Sequence, residues 1–169
     1  MLKELVRDVP DFPQKGIVFK DITPLFQNSS SLKEIVDKIS SHYVNNKIDI
    51  IVGAEARGFL IGPAVAINLN TGFIPIRKPG KLPRETASMT YQLEYGTDTL
   101  EIHKDAIKSG DTVLMVDDLL ATGGTMAACC NLVESLGGKI VGCAFIIELG
   151  FLHGRDMLNK YDVFSLIQY

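Results

Sequence analysis

The chain has 169 residues, of which 46% are hydrophobic and 22% charged, the balance of one globular domain with a sizeable core rather than of a disordered chain. Lys and Arg total 17 against 20 for Asp and Glu, a net charge of −3, and without a basic excess a dedicated DNA or RNA binder is disfavoured. No apolar run approaches the roughly 20 residues of a membrane span, the N-terminal stretch with Glu4 and Asp8 does not read as a signal peptide, and 3 cysteines without a CxxC pair suggest neither a disulfide framework nor a zinc site. The expectation is a cytoplasmic protein with no nucleic-acid and no membrane partner.

No repeat or linker divides the chain, so residues 1–169 are read as a single domain. Ser31 to Glu34 has the S-x-x-E form of a capping box, and Leu32, Ile35, Val36, Ile39 and Tyr43 continue it at helical spacing. Ile48 to Val52 reads as a strand ended by Gly53. Residues 58–69 are apolar on nearly all sides, which predicts a buried helix with Pro63 tolerated near its first turn. Phe73 to Ile76 is a shorter strand, and Pro75 places it where an amide bond is not needed. From Lys78 to Gly96 the sequence is polar and interrupted by Pro79, Gly80 and Pro83, the expected look of a lid or binding loop. Val113 to Val116 predicts a strand covered on both faces. Thr125 to Leu136 predicts a helix with Met126, Cys130, Val133 and Leu136 turned inward, stopped at Gly137-Gly138. Ile140 to Ile147 and the tail from Val163 add two more strands. Such alternation predicts an α/β fold around a largely parallel sheet.

In such folds ligands bind beyond the carboxyl ends of the strands, and here those ends carry the unusual sequences. Gly53 to Gly58 contains Glu55 and Arg57; Arg77 and Lys78 follow the second strand; Asp117 and Asp118 precede Ala121-Thr122-Gly123-Gly124-Thr125; Glu148 closes the fourth. Two glycines between a strand and a helix let backbone amides approach a ligand, and with the positive end of the helix they form a phosphate cradle. No GxxxxGK[ST] occurs, so ATP-type phosphoryl transfer has no support. Adjacent carboxylates repel unless a metal, a cation or donor hydroxyls stand between them, and a ribose diol beside the phosphate meets that need.

The string from Val113 to Thr125, VLMVDDLLATGGT, closely resembles the phosphoribosyl-pyrophosphate (PRPP) binding motif of the type I phosphoribosyltransferases. Phe12 to Pro24 (FPQKGIVFKDITP), Leu93 to His103 (LEYGTDTLEIH), Glu55 to Pro63, Ile76 to Pro83 and Phe164 to Tyr169 narrow the resemblance to the adenine-specific branch, over nearly the full chain. The resemblance implies the type I fold, with a central mostly parallel sheet flanked by helices, a small N-terminal hood (about residues 1–30) and a flexible lid loop (about 78–96). It implies a purine salvage enzyme that joins adenine to PRPP and gives AMP and pyrophosphate, with Mg²⁺ carried on PRPP rather than in a dedicated protein site, and a homodimer.

The same resemblance assigns roles. Ala121, Thr122, Gly123, Gly124 and Thr125 would hold the 5′-phosphate, and Asp117 and Asp118 the ribose hydroxyls. Arg57, Arg77, Lys78 and Lys81 would face the pyrophosphate, Arg offering a planar fork to phosphate oxygens. Val18, Phe19 and Lys20 would read the base, although Phe19 among Ile17, Val18 and Ile22 reads by itself as core. Glu94 would be the catalytic residue handling the purine N9 proton, with Tyr91 and Tyr95 shielding it. Gly123→Val is expected to abolish PRPP binding and leave the fold mostly intact. His42 and His103 have no partner pattern, and Cys129 and Cys130 read as packing.

Overall fold

The computed structural model describes residues 2–92 and 96–169. A five-stranded sheet at its centre runs in the order β4-β3-β7-β8-β9, from β3 (Ile50–Ala54), β4 (Gly72–Ile76), β7 (Thr112–Leu120), β8 (Lys139–Glu148) and β9 (Val163–Gln168). Every neighbouring pair in it is parallel. β4 stands at the edge, so Pro75 lacks no ladder bond, as its sequence requires.

Alternation along the strands divides the core into two layers. On β7, Val113 and Met115 face one side with α5 (Gly124–Ser135), while Leu114 and Val116 face the other with α3 (Ser29–Tyr43) and α4 (Gly58–Asn68). The first layer takes Met126, Cys129, Cys130 and Val133 from α5; the second takes Ile35, Ile39 and Tyr43 from α3 and Ile61 and Val65 from α4. A strand buried on both faces must be apolar throughout, which is why the interior of β7 is an unbroken apolar run.

Four features differ from the sequence reading. Helix α3 begins at Ser29, because Asn28 is its cap and accepts a hydrogen bond from the Ser31 amide at 3.0 Å; Ser31 is therefore inside the first turn. Helix α4 is not buried all round, since Leu60 and Ile67 are 52% and 81% exposed, and Pro63 lies beyond its first turn. Within the segment 78–96, Thr86–Gln92 forms strand β5, which pairs antiparallel with β6 (Thr97–His103) as a ribbon. Ala87, Met89 and Tyr91 of that ribbon pack on the α5 layer beside Leu100 and Ile102. Finally, the N-terminal hood has structure of its own: α1 (Leu2–Leu5), the paired strands β1 (Arg7–Pro10) and β2 (Val18–Asp21), and α2 (Thr23–Gln27).

The Asn28 cap is exposed. Asn28→Ala is expected to cost about 1 kcal/mol of stability, read as a lower midpoint in urea denaturation at unchanged slope.

Candidate active site

β7 lies between β3 and β8, and it does not stop at Val116: Asp117 still pairs in register with Phe145 of β8. The acid pair is thus part of the rigid sheet, not of a following loop. The Asp118 amide donates to Asp117 Oδ1 at 2.9 Å, which holds the first carboxylate against the backbone. Gly58, the first residue of α4, allows the close approach, since a Cβ there would stand 3.1 Å from Asp117 Oδ1 and from the Val116 carbonyl oxygen.

Asp118 is only 3% exposed. The Arg57 Nε lies 3.1 Å from its Oδ2, but not in hydrogen-bonding geometry, and that oxygen is buried without a hydrogen-bond partner among the described residues. Burial raises the Asp118 carboxyl above the usual range, with Arg57 opposing the rise. The Asp117 carboxyl is raised as well, first by desolvation and then by the charge of Asp118. A pair in this state lacks donors.

Beyond the pair, Gly123 takes a left-handed φ of +85° and starts α5, whose first amides have no partner within the helix. Thr125 Oγ1 and the Tyr91 hydroxyl are 3.2 Å apart. The same hydroxyl donates to Asp98 Oδ2 at 3.2 Å, and Asp98 is ion-paired with the Lys78 ammonium. These groups surround a cavity of about 310 Å³ lined by Glu55, Arg57, Lys78, Asp98, the acid pair, the loop Ala121–Gly123 and Thr125.

Of the residues singled out from the sequence, Arg57, Lys78, Tyr91, Asp117, Asp118, Ala121, Thr122, Gly123 and Thr125 line this cavity. Others stand back from its wall. Arg77 gives its Nε to Glu55 Oε2 at 3.1 Å, and the Lys78 amide binds the same oxygen at 3.0 Å. Those two bonds, the backbone one first, hold the Glu55 carboxyl below its ordinary range. Lys81 is exposed on the preceding loop. In the hood, Phe19 approaches the site through Arg57, whose guanidinium lies 5.4 Å from the ring centroid, while Val18 is exposed and the Lys20 ammonium bonds Asp8 at 2.6 Å. Glu94, with Leu93 and Tyr95, lies outside the described residues.

One expectation is revised. A Cβ on Gly123 would overlap the Gly154 carbonyl oxygen and come 3.0 Å from Met157 Cβ, so Gly123→Val damages the loop itself, whatever it does to a ligand. Gly124, by contrast, has open space where a Cβ would go, with nothing nearer than 3.9 Å. Sequence reasoning also gave no role to Glu55 or Asp98; their signal was only an acidic residue near each basic one, a pattern too common to select.

The phosphoribosyl transferase domain model matches residues 23–168. An adenine phosphoribosyltransferase of Koribacter versatilis is 60% identical over 168 residues, 99% of this chain and 92% of that one. The chain belongs to the adenine phosphoribosyltransferase family. Its fold superposes on the crystal structure of the Thermoanaerobacter pseudethanolicus adenine phosphoribosyltransferase with a TM-score of 0.97 at 52% identity, covering 99% of this chain and 98% of that one. The Saccharomyces cerevisiae enzyme, crystallised with adenine and an imino-altritol bisphosphate, gives 0.93 at 46% identity, covering 98% and 96%. The parallel sheet flanked by helices is thus the type I phosphoribosyltransferase fold.

The raised carboxyls of this family member have a consequence for stability. An acid whose folded pKa exceeds its unfolded value of about 3.9 penalises the fold as pH rises through that value, and the penalty is complete above the folded pKa. Asp117→Asn keeps an acceptor for the Asp118 amide and removes the repulsion. Without ligand it is expected to melt above wild type at pH 7.5, the gap closing as pH falls to about 4; thermal scans across that range check it.

Proposed function

We propose that this chain is a purine salvage enzyme that transfers the 5-phosphoribosyl group of PRPP to adenine, giving AMP and pyrophosphate. The observation that carries the reading is the Asp117–Asp118 pair, with Asp118 buried and one of its oxygens uncompensated, lining one cavity with the loop that leads into α5. A ribose 5-phosphate satisfies both: its hydroxyls donate to the carboxylates, while its phosphate takes the amides of Ala121 to Thr125, Gly124 among them, and the positive end of the helix. The yeast relative's complex with adenine and a bisphosphate sugar mimic supports the same substrate class.

The reaction breaks the bond between the anomeric carbon and pyrophosphate and forms one to adenine N9. Positive charge develops on the ribose and negative charge on the departing group. The acid pair opposes the first; Arg57, Lys78, Arg77 and Lys81 oppose the second, which is electrostatic preorganisation. Lys78 must leave Asp98 to do so, and Arg77 acts through the ion pair it shares with Glu55. The hood residues Val18, Phe19 and Lys20 receive the base, with backbone groups reading its edge. Glu94 accepts the N9 proton as the new bond forms.

Among the described residues no group of three or more His, Cys, Asp or Glu could hold a metal. Mg²⁺ arriving with PRPP would add positive charge beside the leaving pyrophosphate, on the side where Arg57 and Lys78 line the cavity. No helix of the described residues is long and apolar enough to cross a membrane, and the cytoplasm is the proposed location. A homodimer completes the proposal; the exposed Leu60 and Ile67 on α4 are apolar surface of the kind a second copy covers.

Incubation with PRPP, Mg²⁺ and each of adenine, hypoxanthine, guanine and xanthine tests the reading. AMP should form from adenine with a preference of several orders of magnitude, because a site that pairs with a 6-amino group leaves polar groups unmatched by a 6-oxo purine. Equal turnover of hypoxanthine contradicts it.

Glu94→Gln keeps size and loses basicity. Single-turnover AMP formation should slow by roughly 10²–10⁴-fold, with PRPP affinity nearly unchanged because the acid pair and cradle stand on the sheet. An unaltered single-turnover rate would leave Glu94 outside the chemistry.

A further inference from the structure

The last residue of β8 holds an ion pair that the reaction does not use. Glu148 is 6% exposed, and Arg155 meets its carboxylate with two parallel bonds, Nε to Oε1 at 2.6 Å and Nη2 to Oε2 at 2.7 Å. Ser165 Oγ donates to Oε2 at 2.5 Å and Gln168 Nε2 at 3.4 Å. Arg155 also gives Nη1 to the Val163 carbonyl at 2.8 Å. One guanidinium thus fastens the 3₁₀ turn Gly154–Leu158 to the ends of β8 and β9. Neither Glu148 nor Arg155 lines the cavity.

The turn they fasten is the back wall of the phosphate loop. A Cβ on Gly154 would overlap the Ala121 carbonyl oxygen and stand 2.9 Å from Leu120 Cδ1, and a Cβ on Gly123 would overlap the Gly154 carbonyl oxygen. Two glycines here bring backbone against backbone. The Leu149 amide ties the same region to the Leu120 carbonyl at 2.9 Å, and Leu158, fully buried, packs in the layer that holds Leu120 and Met126. The loop can recede from a ligand only if the turn recedes with it.

We propose that Glu148 and Arg155 are positioning residues for the 5′-phosphate: their forked ion pair locks the Gly154 turn behind Ala121–Gly123 and fixes the amides that receive the phosphate. The inference rests on the reading of that loop as the phosphate site. A planar fork bonded on both nitrogens sets orientation as well as distance, which a point charge does not.

The test compares Arg155→Met, Arg155→Lys and Thr125→Ala with wild type, using PRPP kinetics and the Kd values of ribose 5-phosphate and pyrophosphate. Loosening a cradle by a fraction of an ångström weakens ligand contacts by about tenfold to a hundredfold. Arg155→Met should raise the KM for PRPP and the Kd for ribose 5-phosphate by such a factor, with the Kd for pyrophosphate and the KM for adenine nearly unchanged. Arg155→Lys should fall between, since it restores the charge without the fork, and it carries the test alone where Arg155→Met does not fold. A lower melting temperature with unaltered ribose 5-phosphate affinity, or a parallel loss for pyrophosphate, overturns the positioning role. Thr125→Ala separates the two levels: if it too leaves ribose 5-phosphate binding intact, the loop is not the phosphate site, whereas if it weakens binding and Arg155→Lys does not, only the positioning role fails.

Discussion

Two carboxylates sit side by side at the carboxyl end of a central strand, one of them almost fully buried, with a single guanidinium nearby and one oxygen left without a donor. Burying a charge without full compensation is among the costlier things a fold can do. Here the sheet makes it possible. β7 lies between β3 and β8 as far as Val116 and pairs with β8 alone beyond it, where Asp117 stands opposite Phe145, so the backbone of the acid pair is fixed by the sheet. Gly58 lets α4 close down on Asp117, and Arg57 at the same helix start reaches Asp118. Each of these features leaves the pair with an incomplete set of hydrogen bonds.

The same economy of space governs the loop that follows. Backbone meets backbone where Gly123 faces Gly154, and the ion pair of Glu148 with Arg155 keeps the turn in place. Fixed donors aimed at a charge need no rearrangement when it arrives, and this is where preorganised sites gain over water. The basic side chains are held differently. Lys78 is tied to Asp98 and Arg77 to Glu55 by side-chain ion pairs, whereas Asp117 is fixed by the sheet itself.

What could be read in the sequence was whatever burial writes into a residue pattern. β7, α5 and β8 carry apolar runs or helical spacing forced by a core on both faces, and the Asp117–Thr125 string stands out against them. The ribbon β5–β6 was hidden because its alternation of Ala87, Met89 and Tyr91 with Ser88, Thr90 and Gln92 is weakly apolar and follows a Pro- and Gly-broken stretch. β1 is exposed along its whole length and leaves no periodic trace. The capping-box reading of Ser31 lost to Asn28, an equally good cap three residues earlier. The second reason for Gly123 was not legible at all, since Gly154 is distant in the chain and meets it only in the fold. Arg155 and Glu148 are unreadable for the same reason: a seven-residue spacing of opposite charges is common, and its meaning comes from the loop it stands behind.

The claim that the acid pair is held short of donors until a ribose supplies them is tested most directly by carboxyl-carbon NMR. Asp-labelled protein, assigned with Asp117→Asn and Asp118→Asn, would be titrated free and in complex with AMP, which brings the same ribose 5-phosphate. In the free protein the pair should titrate with apparent pKa values above the ordinary aspartate value of about 3.9, and AMP should bring them down as its hydroxyls donate to the ionised form. Ordinary values in the free protein, or raised values that AMP leaves where they are, would contradict the account.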